Sequence, residues 1–131
     1  MFCVDSSGWV EFFLGSTSGR TFKPIIEQTA ELVVPAISIF EVHRFLIRTS
    51  TSQVREKAID LMCRSTVIDL TAPRAIAASN IAQQHKLAMA DAVMYSIARE
   101  FNATFWTQDV DYEHLPGVNY HAKDLMPGSM A

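Results

Sequence analysis

Short apolar runs alternate along this chain with longer stretches of helical periodicity, and Ser, Asp, Pro and Gly mark the borders between them. Phe2-Cys3-Val4 is an apolar run closed by Asp5-Ser6-Ser7-Gly8, a cluster that ends a strand and caps a helix over about residues 8–14. Gly15-Ser16-Thr17-Ser18-Gly19 breaks the pattern. Residues 20–30 read as a second helix, with Pro24 tolerated only near its first turn. Leu32-Val33-Val34-Pro35 has the character of a short buried strand, and Ile39, Val42, Phe45 and Leu46 then follow helical spacing, which predicts a helix over 38–48 with Ser38 as its N-cap. Further helices are predicted over 54–63, 75–85 and 90–101, with Pro73 suited to the start of the second of these three. The β-branched Thr66-Val67-Ile68-Asp69-Leu70 reads as a strand, as do 103–107 and 117–120, with a helical turn over 109–114. This β-α-β alternation predicts an α/β fold, with a central, mostly parallel sheet flanked by helices.

Composition narrows the picture. With 131 residues, of which 49% are hydrophobic and 19% charged, the expectation is one domain spanning 1–131, its last residues, 126–131, forming a frayed tail. There is no internal repeat and no low-complexity tract. No stretch approaches the roughly 20 consecutive apolar residues of a membrane span, and Met1 leads straight into the first strand, so a cytoplasmic protein with no membrane partner is expected. Cys3 and Cys63 have neither metal-ligand spacing nor the look of a disulfide framework, and both are expected as reduced core thiols. The formal net charge of -3 argues against a protein that grips nucleic acid through overall positive charge. Any RNA contact must be local.

The candidate chemistry is acidic. In open α/β sheets the binding crevice lies at the carboxyl ends of the strands. Asp5 directly follows the first strand, Asp109 lies just past Thr107, Glu41 is in the first turn of the helix after Val33-Val34, and Asp91 opens an apolar helix. Converging carboxylates repel one another unless a cation neutralises them, and an oxygen-only ligand set selects a hard ion such as Mg²⁺ or Mn²⁺. Such an ion lowers the pKa of water and stabilises charge developing on a phosphate. Each acid also has a plainer reading: Asp5 as an N-cap, Glu41 and Asp91 beside a helix dipole, Asp109 as the start of a turn.

Four segments resemble the PIN-domain family, and in particular its short VapC-type toxins from toxin–antitoxin pairs. Val4-Asp5-Ser6-Ser7 resembles the family's strand-Asp-Ser/Thr-Ser opening, and Pro35-Ala36-Ile37-Ser38-Ile39-Phe40-Glu41-Val42 its strand-to-helix segment ending in Glu. Leu87-Ala88-Met89-Ala90-Asp91-Ala92 is similar to its L-x-x-x-D-A stretch, and Thr107-Gln108-Asp109-Val110-Asp111-Tyr112 to its T-x-D-x-D-F signature, with Tyr for Phe. The segments span nearly the whole chain in the family's order. The resemblance implies a PIN-like three-layer fold, whose strand order it alone supplies, and a metal-dependent endoribonuclease acting on structured RNA such as tRNA or rRNA. It assigns Asp5, Glu41, Asp91 and Asp109 to the metal and catalysis, with Ser7 and Thr107 in support. It further implies a homodimer and a cognate antitoxin whose C-terminal segment lies over the active-site groove.

Arg44 and Arg48, at i and i+4 on the helix that carries Glu41, are candidates for RNA phosphates, and equally for a solvated helix face. Asp111 reads better as a solvated turn residue than as a fifth ligand. Trp106 and Phe105 read as core rather than as a stacking platform, whereas Trp9, Phe12 and Phe13 with Leu14 divide between core and a partner surface. The four histidines are scattered, without a His-x-x-x-His or triad setting, and carry no catalytic assignment. A phosphoacceptor receiver domain would need adjacent acids after the first strand and a Lys after the last; only Asp5 stands there, Asp69 falls within its strand, and Lys123 lies too far on. The other rival is a non-catalytic PIN-like scaffold that binds RNA or protein.

Overall fold

The computed structural model describes residues 1–123, so the tail expected at 126–131 lies outside the described residues. The chain runs β1 (Phe2–Val4), α1 (Ser6–Leu14), α2 (Gly19–Ile26), β2 (Val33–Pro35), α3 (Ala36–Thr49), α4 (Ser52–Cys63), β3 (Thr66–Ile68), α5 (Ala72–His85), α6 (Met89–Glu100), β4 (Thr104–Thr107) and β5 (Val118–Tyr120). Short 3-10 turns, Thr29–Glu31 and Val110–Tyr112, precede β2 and follow β4.

All strand pairings are parallel: β1 with β4, β4 with β5, and β2 with β3. A parallel bridge between Phe2 and Leu32 joins the two pieces, giving the order β3-β2-β1-β4-β5. Alternation along each strand feeds two separate cores. Cys3, Val33, Ile68 and Phe105 face α5 and α6, while Val4, Val34, Trp106 and Leu32 belong with α1, α2, α3 and α4. The result is the expected three-layer α/β arrangement. Its asymmetry follows from chain direction: connections from β1 to β2 to β3 step one way and put their helices on one face, whereas the connection from β3 to β4 steps back past β1 and puts α5 and α6 on the other.

Three expectations are corrected. Ser38 is not an N-cap: α3 begins directly after β2 with Pro35 in extended conformation (ψ 137°), which leaves Ser38 inside the first turns, fully buried, its hydroxyl without a partner. The second helix ends at Ile26 rather than at 30, because Pro24, past the first turn, removes one of its few hydrogen bonds and the chain then tightens into the 3-10 turn. Cys63 is exposed at the end of α4, and only Cys3 is a core thiol; burial first, then the nearby Asp5 charge, pushes that thiol's pKa far up and keeps it inert. Phe105 is fully buried and Trp106 packs beside the second core. Trp9 is fully buried too, and Phe12 and Phe13 pack against the same core, so of that group only Leu14 stands out to solvent.

Candidate active site

The strand order reverses direction between β1 and β4, and ligand crevices of open α/β sheets form at such a switch point. Asp5 follows β1 there and Asp109 follows β4. Parallel crossovers bring α3 and α6 alongside, so that Glu41 and Asp91 reach the same place. All four acids line one open cleft of about 410 Å³. α1 contributes Ser6, Ser7, Val10 and Glu11, α3 adds Phe45 one turn past Glu41, α6 adds Met94, and Gln108 and Lys123 complete the wall.

Asp5 is the most constrained of the four. Only 3% exposed, it caps α1: its Oδ1 accepts the Gly8 N–H at 2.9 Å and the Ser7 hydroxyl at 2.8 Å, while its Oδ2 accepts the hydroxyl of the fully buried Thr107. A carboxylate offers about four lone-pair positions, so roughly one on Oδ2 stays free for a ligand. The Thr107 oxygen also accepts the Asp109 N–H at 2.9 Å, which ties the two acids to one side chain. Asp109 in turn caps the 3-10 turn by accepting the Asp111 N–H at 2.9 Å, and Asp111 itself is exposed, as a solvated turn residue should be. Glu41 accepts the Ser6 hydroxyl at 2.7 Å.

Electrostatics matches this crowding. Burial pushes the Asp5 carboxyl above its ordinary range; the hydrogen bonds from Thr107, Gly8 and Ser7 oppose the rise, and the Asp109 charge adds to it. Burial likewise raises Asp91, and the charges of Asp109, Glu41 and Asp5 push it further. Tyr112 belongs to this picture although the sequence marked it only as a substitute for Phe. Its hydroxyl is buried without a well-formed hydrogen bond, and burial followed by the Asp91 charge drives the phenol far up, while its own interaction with Asp91 partly offsets the rise there.

Oxygen donors that share one cleft and raise one another's pKa are the chemistry a hard divalent cation neutralises, and on that ground the residues fit such an ion. As the side chains stand, no group of three or more His, Cys, Asp or Glu among the described residues is drawn together at ligating distance. The acids line a common wall without closing on a point.

Arg44 and Arg48 are exposed on α3 and are not on the cleft wall; the face of α3 that reaches it is Glu41 and Phe45. Sequence reading assigned no role to Ser6, Glu11, Gln108 or Lys123. The spacing of Ser7, Val10 and Glu11 on one helix face was the available signal for Glu11. Nothing in the sequence signals Lys123, which follows β5 and meets Glu11 of α1 only in the folded chain.

Comparison with known proteins agrees with this fold. The model of the PIN domain family matches residues 2–118. Among solved structures, a toxin–antitoxin complex from Klebsiella pneumoniae superposes with a TM-score of 0.79 at 15% identity, covering 94% of this chain and 100% of the other. VapBC2 from Rickettsia felis, bound to a DNA fragment from its promoter, gives 0.70 at 13% identity over 94% and 98% of the two chains. VapC20 from Mycobacterium tuberculosis, a toxin that cleaves the sarcin-ricin loop, gives 0.71 at 18% identity over 88% and 95%. No curated protein matches the sequence.

Proposed function

Because this chain belongs to the PIN-domain family, we propose that its acidic cleft is the active centre of a Mg²⁺- or Mn²⁺-dependent endoribonuclease, the toxin of a toxin–antitoxin pair. One observation carries the reading: Asp5, Glu41, Asp91 and Asp109, from four separate segments, line a single cleft at the switch point of the sheet. These four would hold the cation. A divalent ion bound there supplies Lewis acidity, lowering the pKa of water and offsetting charge that develops on the scissile phosphate. The chain's own part is to hold the carboxylates ready. Gly8, Ser7 and Thr107 orient Asp5, Thr107 sets the backbone of Asp109, and Ser6 orients Glu41 on the cleft wall, from which the acids would close on the ion.

In the reaction, the oxygen of a water molecule bonds to phosphorus in line, the bond from phosphorus to the ribose 3′-oxygen breaks, and that oxygen takes a proton. The products are a 5′-phosphate and a 3′-hydroxyl. The substrate class is structured RNA with unstacked loop nucleotides, tRNA or rRNA, in keeping with the loop-cleaving activity of the Mycobacterium tuberculosis relative. The partner is an antitoxin, in keeping with the Klebsiella pneumoniae toxin–antitoxin complex, and its segment would cover the cleft.

The reading also carries a homodimer in the cytoplasm. An apolar groove of about 410 Å³ between α5 and α6, with exposed Leu70 and Met89 on its rim, offers surface for that contact, and the solution mass measured by light scattering checks it. Among the described residues no helix is long and apolar enough to cross a membrane.

The test is to strip the purified protein of any partner, refold it and incubate it with total cellular RNA and Mg²⁺ or Mn²⁺, beside EDTA and Asp91→Asn controls. Discrete fragments that vanish in both controls are expected. The Asp91→Asn protein should also melt higher than the parent in EDTA, because the charges of Asp109, Glu41 and Asp5 no longer oppose a fourth carboxylate. Full cleavage by Asp91→Asn would overturn the site. Intact RNA with no carboxylate-dependent Mn²⁺ stabilisation would leave a binding scaffold.

A further inference from the structure

A polyanion must enter a cleft whose walls carry Asp5, Glu11, Glu41, Asp91 and Asp109, in a chain of net charge -3. Cations that neutralise the acids do not by themselves anchor the rest of the strand, so a positive side chain on the wall has a clear task. Among the described residues, Lys123 is the one Lys or Arg that lines this cleft. The arginines on α3 that sequence spacing suggested face solvent elsewhere.

The placement of Lys123 is built. Its Nζ stands 3.6 Å from Glu11 Oε1, and the Glu11 side chain is itself only 14% exposed and accepts the Ser16 hydroxyl through its other oxygen. Glu11 thus sits fixed on α1 and holds the lysine at the cleft wall, while the ammonium, on a side chain 63% exposed, keeps donors free. A compact ammonium on a flexible stem suits a phosphate as a point charge.

We propose that Lys123 is a substrate-binding residue that holds an RNA phosphate next to the scissile one, and that Glu11 is its positioning residue. The proposal rests on the nuclease reading above. A phosphate contact of this kind strengthens substrate binding, not the bond-breaking step, and it contributes to the salt dependence of binding.

The experiment is steady-state cleavage of an RNA hairpin oligonucleotide with a single-stranded loop across a series of KCl concentrations, for the wild-type protein, Lys123→Met and Lys123→Arg. Mn²⁺ binding to each is followed separately by the loss of the free-ion paramagnetic resonance signal. Lys123→Met should raise KM roughly tenfold, the size expected on losing one charge-assisted hydrogen bond. Its kcat should stay near wild type, and the slope of log kcat/KM against log salt should become shallower by about 0.7. Lys123→Arg should restore most of the KM. Mn²⁺ binding and melting temperature should be unchanged in Lys123→Met, which separates a substrate contact from a damaged site. Because Glu11→Gln removes the aiming contact together with one of the wall's own negative charges, the positioning role is read from the pair: Lys123→Met should raise KM by a smaller factor in the Glu11→Gln background than in wild type, and an equal factor in both would remove Glu11 from the assignment. Unchanged KM and salt slope in Lys123→Met, or a fall in kcat alone, would overturn the assignment, and the nuclease reading would stand so long as Asp91→Asn still abolished cleavage. Cleavage that survives Asp91→Asn would instead remove the reading on which the lysine depends.

Discussion

Thr107 shows how much of this site hangs on a single uncharged side chain. Its one hydroxyl donates to Asp5 and accepts from the backbone of Asp109, inside a residue with no exposed surface. Thr107→Val keeps the shape and deletes both bonds, leaving the buried Asp5 Oδ2 and the Asp109 N–H unsatisfied, at a cost of about 1–3 kcal/mol. Denaturant titration should register that loss, and cleavage should fall about 10- to 100-fold as two metal-site acids lose their orientation. Thr107→Ser should recover most of both; a Val variant with wild-type stability and rate would show the hydroxyl to be idle. At this scale the sequence was legible where chemistry follows a local pattern. Asp5 and Asp109 stand immediately beyond strands, and Ser7 and Thr107 sit two positions from the acid each supports, so a short window of sequence contains them. Contacts across the fold were not legible: Ser6 bonds Glu41 over a separation of 35 residues, and Tyr112 meets Asp91 only once α6 and the turn after β4 are packed.

The elements themselves were readable because the hydrophobic period changes between 2 and 3.6 along the chain, whereas their ends depend on tertiary partners. Residues 69 and 70 carry strand-like composition yet lie beyond β3, whose register with β2 stops at Pro35 and Ile68. Cys63 fits the helical pattern of α4 but falls on its open face. Gly8 illustrates an element-scale constraint that composition hides. A Cβ there would stand 2.7 Å from Val4 Cγ1 and 3.1 Å from the Phe22 ring, so the glycine is what lets α1 lie close against β1 and α2. Its N–H also donates to the N-cap carboxylate of Asp5. Gly8→Ala should cost about 1–3 kcal/mol through overpacking, against the gain in helix propensity that alanine ordinarily brings. Thermal unfolding of the variant checks the sign: an alanine protein more stable than the parent would mean that the two helices and the strand separate at little cost.

Over the whole molecule, the acids couple stability to pH and, on the proposed function, to metal. Asp5 and Asp91 both have raised native pKa values, burial being the first cause and the charges of neighbouring acids adding to it. Between the ordinary carboxylate pKa and those raised values the native state binds more protons than the unfolded chain, so their contribution to stability falls as pH rises through that window and is retained on its acid side. Melting temperatures in EDTA should therefore drop from mildly acidic to neutral pH, and Asp91→Asn should flatten the change. Mn²⁺ should stabilise most at neutral pH, where its ligands are ionised. A metal-free protein that becomes steadily more stable over the same range would contradict the assignment. The bond from Thr107 to Asp5 has one more consequence, because it closes across 102 positions of the chain. β1 lies between β2 and β4, so during synthesis the first strand can find β2 early while its other edge stays open until β4 has left the ribosome. Asp109 and the hydroxyl that ties it to Asp5 therefore join the site later than Glu41 and Asp91. On the nuclease reading proposed above, a chain in which β1 has not yet paired with β4 has no assembled cleft with which to cut RNA, and none for a covering partner to hold.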